Sequence, residues 1–345
     1  VSLAAALLAL VLLAEGGPGQ LQVTVDSARH EVLVVAGPFR VPAMAPMPGH
    51  QMMDHAMAQD TPLERFGWPV DGWARGFRVR LVDAEGRDVP RRVLHHLIVV
   101  NFGRRQLLYP AYERLFGAGA ETDDVVLPKT VGVPLQAGMP LGMYLGWHNE
   151  TGAEFPGVYL RLTLLWTPSN QVPAPVSALP FYADVNLQIG GSNTFDVPPG
   201  RSTRSWEFSL PVSGRLIGLG GHLHDYGEEL RLEEASTGKT LSRLRARRDS
   251  LGQVRGVERH LYGVAGEGRR LRAGVRYRVV GVYRNPTDES RLRGAMAHVA
   301  GLFVPSDLRC WPRLDEDAPD LRRDRAALDG GSEAADSAPH VHHGP

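Results

Sequence analysis

At 345 residues the chain is long enough for two domains, each burying its own core. Lys plus Arg and Asp plus Glu both number 38, so the formal charge is zero and nothing points to a nucleic-acid partner or an anionic membrane surface. A single cysteine, Cys310, excludes a disulfide framework within the chain and reads as a buried or idle thiol.

The apolar run Ser2–Ala14 is too short to span a bilayer, which needs roughly 20 residues. It reads as the core of a signal peptide over 1–20, so a secreted or periplasmic protein without stable membrane insertion is expected. Strand signals then dominate: Leu21–Val25, Glu31–Val35, Gly76–Val82, Val93–Val100, Val158–Trp166, Phe181–Ile189, Ser205–Leu210, Arg215–Leu219, Glu229–Glu233, Val275–Tyr283 and Val299–Val304. Residues 78–82 and 159–164 alternate with period two, and Glu85-Gly86 and Thr237-Gly238 have hairpin-turn chemistry. Ala111–Phe116 is the one stretch that reads as a short helix.

Between the early strands lies a Met/His-rich segment, 40–60, carrying Met44, Met47, His50, Met52, Met53, His55 and Met57 among Pro, Gly and Ala. Thioethers with imidazoles suit Cu(I) capture; the alternative is a linker of accidental composition. The Pro-, Ser- and Ala-rich stretch 167–180 breaks the strand pattern and reads as a linker. The expected organisation is a first β-sandwich over 21–166, the linker, a second over 181–312, and a disordered tail over 313–345. The tail ends in His340, His342 and His343, which nothing nearby fixes as a site.

The chemistry-bearing residues are His95-His96, His148, Gly221-His222-Leu223-His224 and Met296. In a strand His222 and His224 share a face and can chelate one ion. His95 and His96 are adjacent, so both reach one ion only if their strand is bulged. Three donors leave a metal open positions, which suits catalysis, and the thioether favours copper, because Met prefers Cu(I). The ordinary alternatives are core packing for Met296 and Trp147, and solvated or hydrogen-bonded histidines. A metallo-β-lactamase motif is excluded, since Tyr226 and Gly227 stand where it needs Asp and His; Asp225 is a candidate partner for a ligating imidazole. His298 shares a strand face with Met296 and offers a further ligand, supporting group or substrate contact.

In this order, with Leu127-Pro128-Lys129 and Gly132 between the first histidines and His148, the chain resembles the copper type II, ascorbate-dependent monooxygenases, the family of peptidylglycine α-hydroxylating monooxygenase and dopamine β-hydroxylase. The match runs over roughly 75–305 and is confined largely to the motifs. Arg78–Asn101 and Gly138–Gly152 also look like a group related to the stress-up-regulated nodulins. The resemblance implies an all-β fold of two tandem jelly-roll-like β-sandwich domains and two copper ions. His95, His96 and His148 would hold the electron-transfer copper. His222, His224 and Met296 would hold the catalytic copper, with dioxygen, a small organic substrate and ascorbate or another one-electron donor as partners. Two positions depart from the peptide-hydroxylating members: Gly220 replaces an Arg that holds the substrate carboxylate, and Ala300 replaces an assisting Tyr. The alternatives are a non-catalytic secreted or periplasmic copper protein for storage, delivery or sensing, and a β-sandwich module binding zinc or no metal.

Overall fold

The computed structural model describes residues 21–44, 59–120, 122–250, 252–263 and 268–330. The Ser2–Ala14 run, Met47 to Met57 and the terminal histidines lie outside them. The first part of the chain forms β1 (Gln22–Asp26), β2 (Glu31–Val41), β3 (Gln59–Asp60), β4 (Glu64–Gly67), β5 (Gly72–Val82), β6 (Leu94–Arg105), β7 (Tyr112–Ala118), β8 (Val125–Val126), β9 (Val131–Leu135), β10 (Pro140–Trp147), β11 (Phe155–Pro168) and β12 (Val176–Ser177). The second forms β13 (Leu179–Asp184), β14 (Phe195–Val197), β15 (Gly200–Ser209), β16 (Gly214–Leu223), β17 (Gly227–Glu234), β18 (Lys239–Arg248), β19 (Val254–Val257), β20 (His260–Leu261), β21 (Arg269–Leu271), β22 (Arg276–Asn285), β23 (Arg291–Ala295) and β24 (Ala297–Pro305). One helix, α1 (Pro319–Gly330), follows.

The fold is all-β in a sandwich arrangement. In the first half a sheet ordered β1-β2-β11-β5-β9-β12, with β8 on β5, accompanies a sheet ordered β3-β10-β6-β7, with β4 on β10. In the second half β13-β24-β16-β20, with β21 on β16, accompanies β15-β22-β17-β18-β19. Strands distant in sequence lie side by side, as β2 with β11 and β16 with β24, which is the wrapping expected of jelly rolls. Alternation explains why these sheets stack. In β5, Phe77, Val79 and Leu81 are buried while Arg78 and Arg80 are exposed; in β11, Leu160, Leu162 and Leu164 turn inward. They join one apolar core with Leu97 and Val99 of β6 and Met143 and Leu145 of β10.

The structure departs from sequence expectation in three places. Ala111–Phe116 is not helical, because Tyr112–Ala118 pairs with β6 as β7. The stretch 167–180 is not wholly loose: Val176–Ser177 pairs in parallel with Val131–Gly132, and the Trp73 indole donates to the Ser177 hydroxyl at 3.0 Å. The tail, expected to be disordered, is ordered through Gly330. Helix α1 sets Leu321 and Leu328 against Val100, Phe102 and Tyr112 of the first half. Of the two readings of Cys310, buried or idle, its exposure removes the first. Among the described residues no helix is long and apolar enough to cross a membrane.

Candidate metal centre

The second histidine group is built on the β13-β24-β16 side of the second half. His222 pairs directly with His298 across β16 and β24, and His298 pairs with Asp184 across β24 and β13. The His222 and His298 rings stack with centroids 5.4 Å apart. His224 follows the end of β16, and its ring lies 5.0 Å from that of His222 at 86°. The chain bearing Met296 is held beside it. The His224 amide donates to the Met296 carbonyl at 3.3 Å and to the Tyr283 hydroxyl at 3.2 Å, while Tyr283 donates to the same carbonyl at 2.6 Å. Tyr283 is wholly buried, and burial pushes its phenol far up, so it stays a neutral donor. One hydroxyl thus ties together the two segments that carry His224 and Met296.

Asp225, the acid expected to support an imidazole, turns elsewhere. Its Oδ1 accepts the Val254 amide at 2.9 Å, and burial raises its carboxyl. Asp184 takes that place instead. Its Oδ2 lies 3.8 Å from His298 Nδ1 and accepts from the Tyr182 hydroxyl at 2.7 Å and the Asn193 amide at 2.9 Å. Fully buried, its carboxyl is also raised, first by desolvation. The signal in the sequence was an acid within the apolar run Phe181–Ile189. Tyr283 had none, being one more aromatic in a core strand.

The first group contains the bulge that its sequence demands. Gly146 of β10 pairs with His96, but Trp147 pairs with Leu94, so His95 is the additional residue on β6. Both imidazoles consequently reach the same cavity, with rings 4.9 Å apart. Gly146 makes room: a Cβ there would lie 2.7 Å from His96 Nε2 and 2.7 Å from Asp60 Oδ1. Asp60 Oδ1 stands 3.1 Å from that nitrogen, close but without hydrogen-bond alignment. Gly146→Ala should therefore turn His96 away and weaken metal binding at this group, by roughly tenfold, as loss of ring orientation does. Competition against a chromophoric chelator checks this, and unchanged affinity would mean that His96 is not a ligand.

His148 is buried beside the pair, its ring 6.3 Å from that of His95, but it does not line the cavity. Its Nε2 is 2.9 Å from Glu150 Oε1. The Met44 amide donates to the Asn149 carbonyl at 2.8 Å, which places Met44 close to His148.

A cavity of roughly 640 Å³ receives both groups: His95 and His96 from the first half, and His222, His224, Met296 and His298 from the second. The second group suits a soft cation, with two imidazoles at chelating separation and a thioether on a segment bonded to one of them. The first brings two imidazoles, and His148 stands beside them with its Nε2 on Glu150 Oε1, a contact of the kind a ligating imidazole makes through its other nitrogen. Among the described residues no three His, Cys, Asp or Glu side chains are assembled around one point as a metal-binding set. Gly220 and Ala300, the two departures from the peptide-hydroxylating pattern, pair with each other across β16 and β24.

No family model matches the chain, and no curated protein matches it. Among solved structures it is similar to "Structure of PNGF-II in C2 space group", at 8% identity over 84% of this chain and 63% of that one, with a TM-score of 0.30. It is also similar to the ANX2 ectodomain from Arabidopsis thaliana, at 8% identity over 79% of this chain and 89% of that one, with a TM-score of 0.18. The chain thus spans less than two thirds of the first of these proteins.

Proposed function

We propose that this chain is a copper-dependent monooxygenase that hydroxylates a small organic substrate with dioxygen and a one-electron reductant such as ascorbate. The observation that carries the reading is the convergence of His95 and His96 with His222, His224 and Met296 on one cavity. His222, His224 and Met296 would hold the catalytic copper, and His95, His96 and His148 the electron-transfer copper. Copper bound by neutral donors supplies one-electron cycling and dioxygen activation. The overall change balances as R–H + O2 + 2 e⁻ + 2 H⁺ → R–OH + H2O, with both electrons coming from the reductant.

The remaining work falls to the protein. Tyr283 fixes the spacing between His224 and Met296. Asp184 and Tyr182 hold the ring of His298 against that of His222. The mostly apolar walls would favour an apolar substrate beside the metal.

A second reading, a non-catalytic copper-binding protein, is favoured by the position of His148 outside the lining of the cavity that the other histidines share, since storage or delivery needs no electron-transfer site. Ascorbate-dependent dioxygen uptake by copper-loaded protein separates the two. The monooxygenase reading expects uptake that disappears in His222→Ala and falls steeply in His95→Ala. Copper binding without uptake above that of free copper would support the second reading and overturn the first.

A further inference from the structure

The floor of the cavity indicates what it receives. Along β16, Gly218, Gly220 and His222 share a face, and across β24 they oppose Leu302, Ala300 and His298. All six line the cavity. The Gly220–Ala300 rung carries almost no side chain, and a Cβ built on Gly220 would meet nothing nearer than the Arg259 side chain at 3.4 Å. A strip with little side chain of its own, edged by Arg259 and by Leu261, which would lie 3.3 Å from a Cβ on Gly218, therefore leads to the His222–His298 pair. The first half adds Ile98 and the Phe77–Phe116 stack, whose rings lie 4.4 Å apart and nearly parallel.

The buried charge within the lining is already matched. Arg114 makes two 2.6 Å bonds to the carboxylate of Asp324, and Asp60 faces His96. Arg259, 3.9 Å from an exposed Asp123, is paired only loosely but stands half in solvent. An ionised ligand would lose its hydration and gain no unmatched buried counter-charge. A volume near 640 Å³ falls within the roughly 300–1,000 Å³ range of small-molecule sites.

We propose that the cavity takes a flat, uncharged, largely apolar molecule of the aromatic or fused-ring class. It lies on the Gly218–Gly220–Ala300 strip with the carbon to be hydroxylated at the His222 end. This assignment rests on the monooxygenase reading for the fate of the molecule, but its shape and neutrality are read from the cavity alone.

The test uses full-length, metal-free protein and the neutral fluorophore N-phenyl-1-naphthylamine, with naphthalene and naphthalene-2-carboxylate as competitors. The expected result is saturable binding at one site. Naphthalene should compete at least about tenfold better than the carboxylate, which must shed its hydration. Ala300→Phe and Gly220→Val fill the strip and should each weaken binding by about tenfold or more while far-UV circular dichroism stays unchanged. If one variant misfolds, the other decides. Absence of fluorophore binding, equal or tighter binding of the carboxylate, or wild-type affinity in the folded variants would overturn the assignment. Copper titration of the same samples keeps the two proposals apart. Loss of copper binding with intact fluorophore binding would sink the monooxygenase and leave the cavity assignment standing. Copper bound without fluorophore binding would do the reverse.

Discussion

Met296→Ala should weaken Cu(I) binding at the second histidine group by at least roughly tenfold and leave the first group near its wild-type affinity. Loss of an outer partner alone costs about 10–100-fold in metal affinity, and a lost donor should cost no less. Among the described residues the thioether is the one soft donor lining the cavity beside His222 and His224, and it is Cu(I) that such a donor selects. The substitution leaves the local backbone tied, because Tyr283 and the His224 amide bond to the carbonyl of residue 296 and not to its side chain. A change in affinity therefore reports the sulfur. Competition with a chromophoric Cu(I) chelator measures it, and Cu(II) affinity should fall less. Equal loss at both groups would contradict a two-site arrangement.

Asp324→Ala should lower stability by roughly 2–3 kcal/mol, somewhat less than the 3–5 for breaking a fully buried pair, because the Arg114 side chain keeps 26% exposure. Asp324 receives two bonds from Arg114 and one from the Tyr112 amide at 2.9 Å, so its removal takes the carboxylate from three N–H donors. It also loosens α1, which is otherwise held by Leu321 and Leu328, by the Arg65–Asp329 pair and by Arg325 on Tyr112. Urea denaturation checks the magnitude. Because Asp324 and Leu328 also line the cavity, the same variant should weaken binding of the neutral fluorophore. A stability change within about 0.5 kcal/mol, the range of an ordinary surface substitution, would mean that the helix is not docked through this contact.

These two sites differ in how far they could be read from sequence. Period-two alternation at 78–82 and 159–164 gives strands with one buried face, and those strands form. The His95-His96 pair requires a bulge if both rings are to share a side, and pairing on β10 shifts by one residue there. The same kind of irregularity hid β7. Register shifts against β6 between Val99 and Val100, and between Asn101 and Arg105, break its alternation, and its Glu113 is buried against Asn101. Helix α1 was hidden for another reason. Its few apolar residues carry too weak a pattern, and its main anchor, Arg114, lies 210 positions away. Asp184 and Tyr283 act through contacts across strands, which no spacing along the chain displays.

The most direct measurement is copper K-edge X-ray absorption of the Cu(I)-loaded full-length protein, beside Met296→Leu. A copper held by His222, His224 and Met296 should show imidazole scattering together with a sulfur contribution that is lost in the variant. Copper surrounded by nitrogen and oxygen alone in the wild type, or a sulfur signal that persists in Met296→Leu, would contradict the site and the oxygenase built on it.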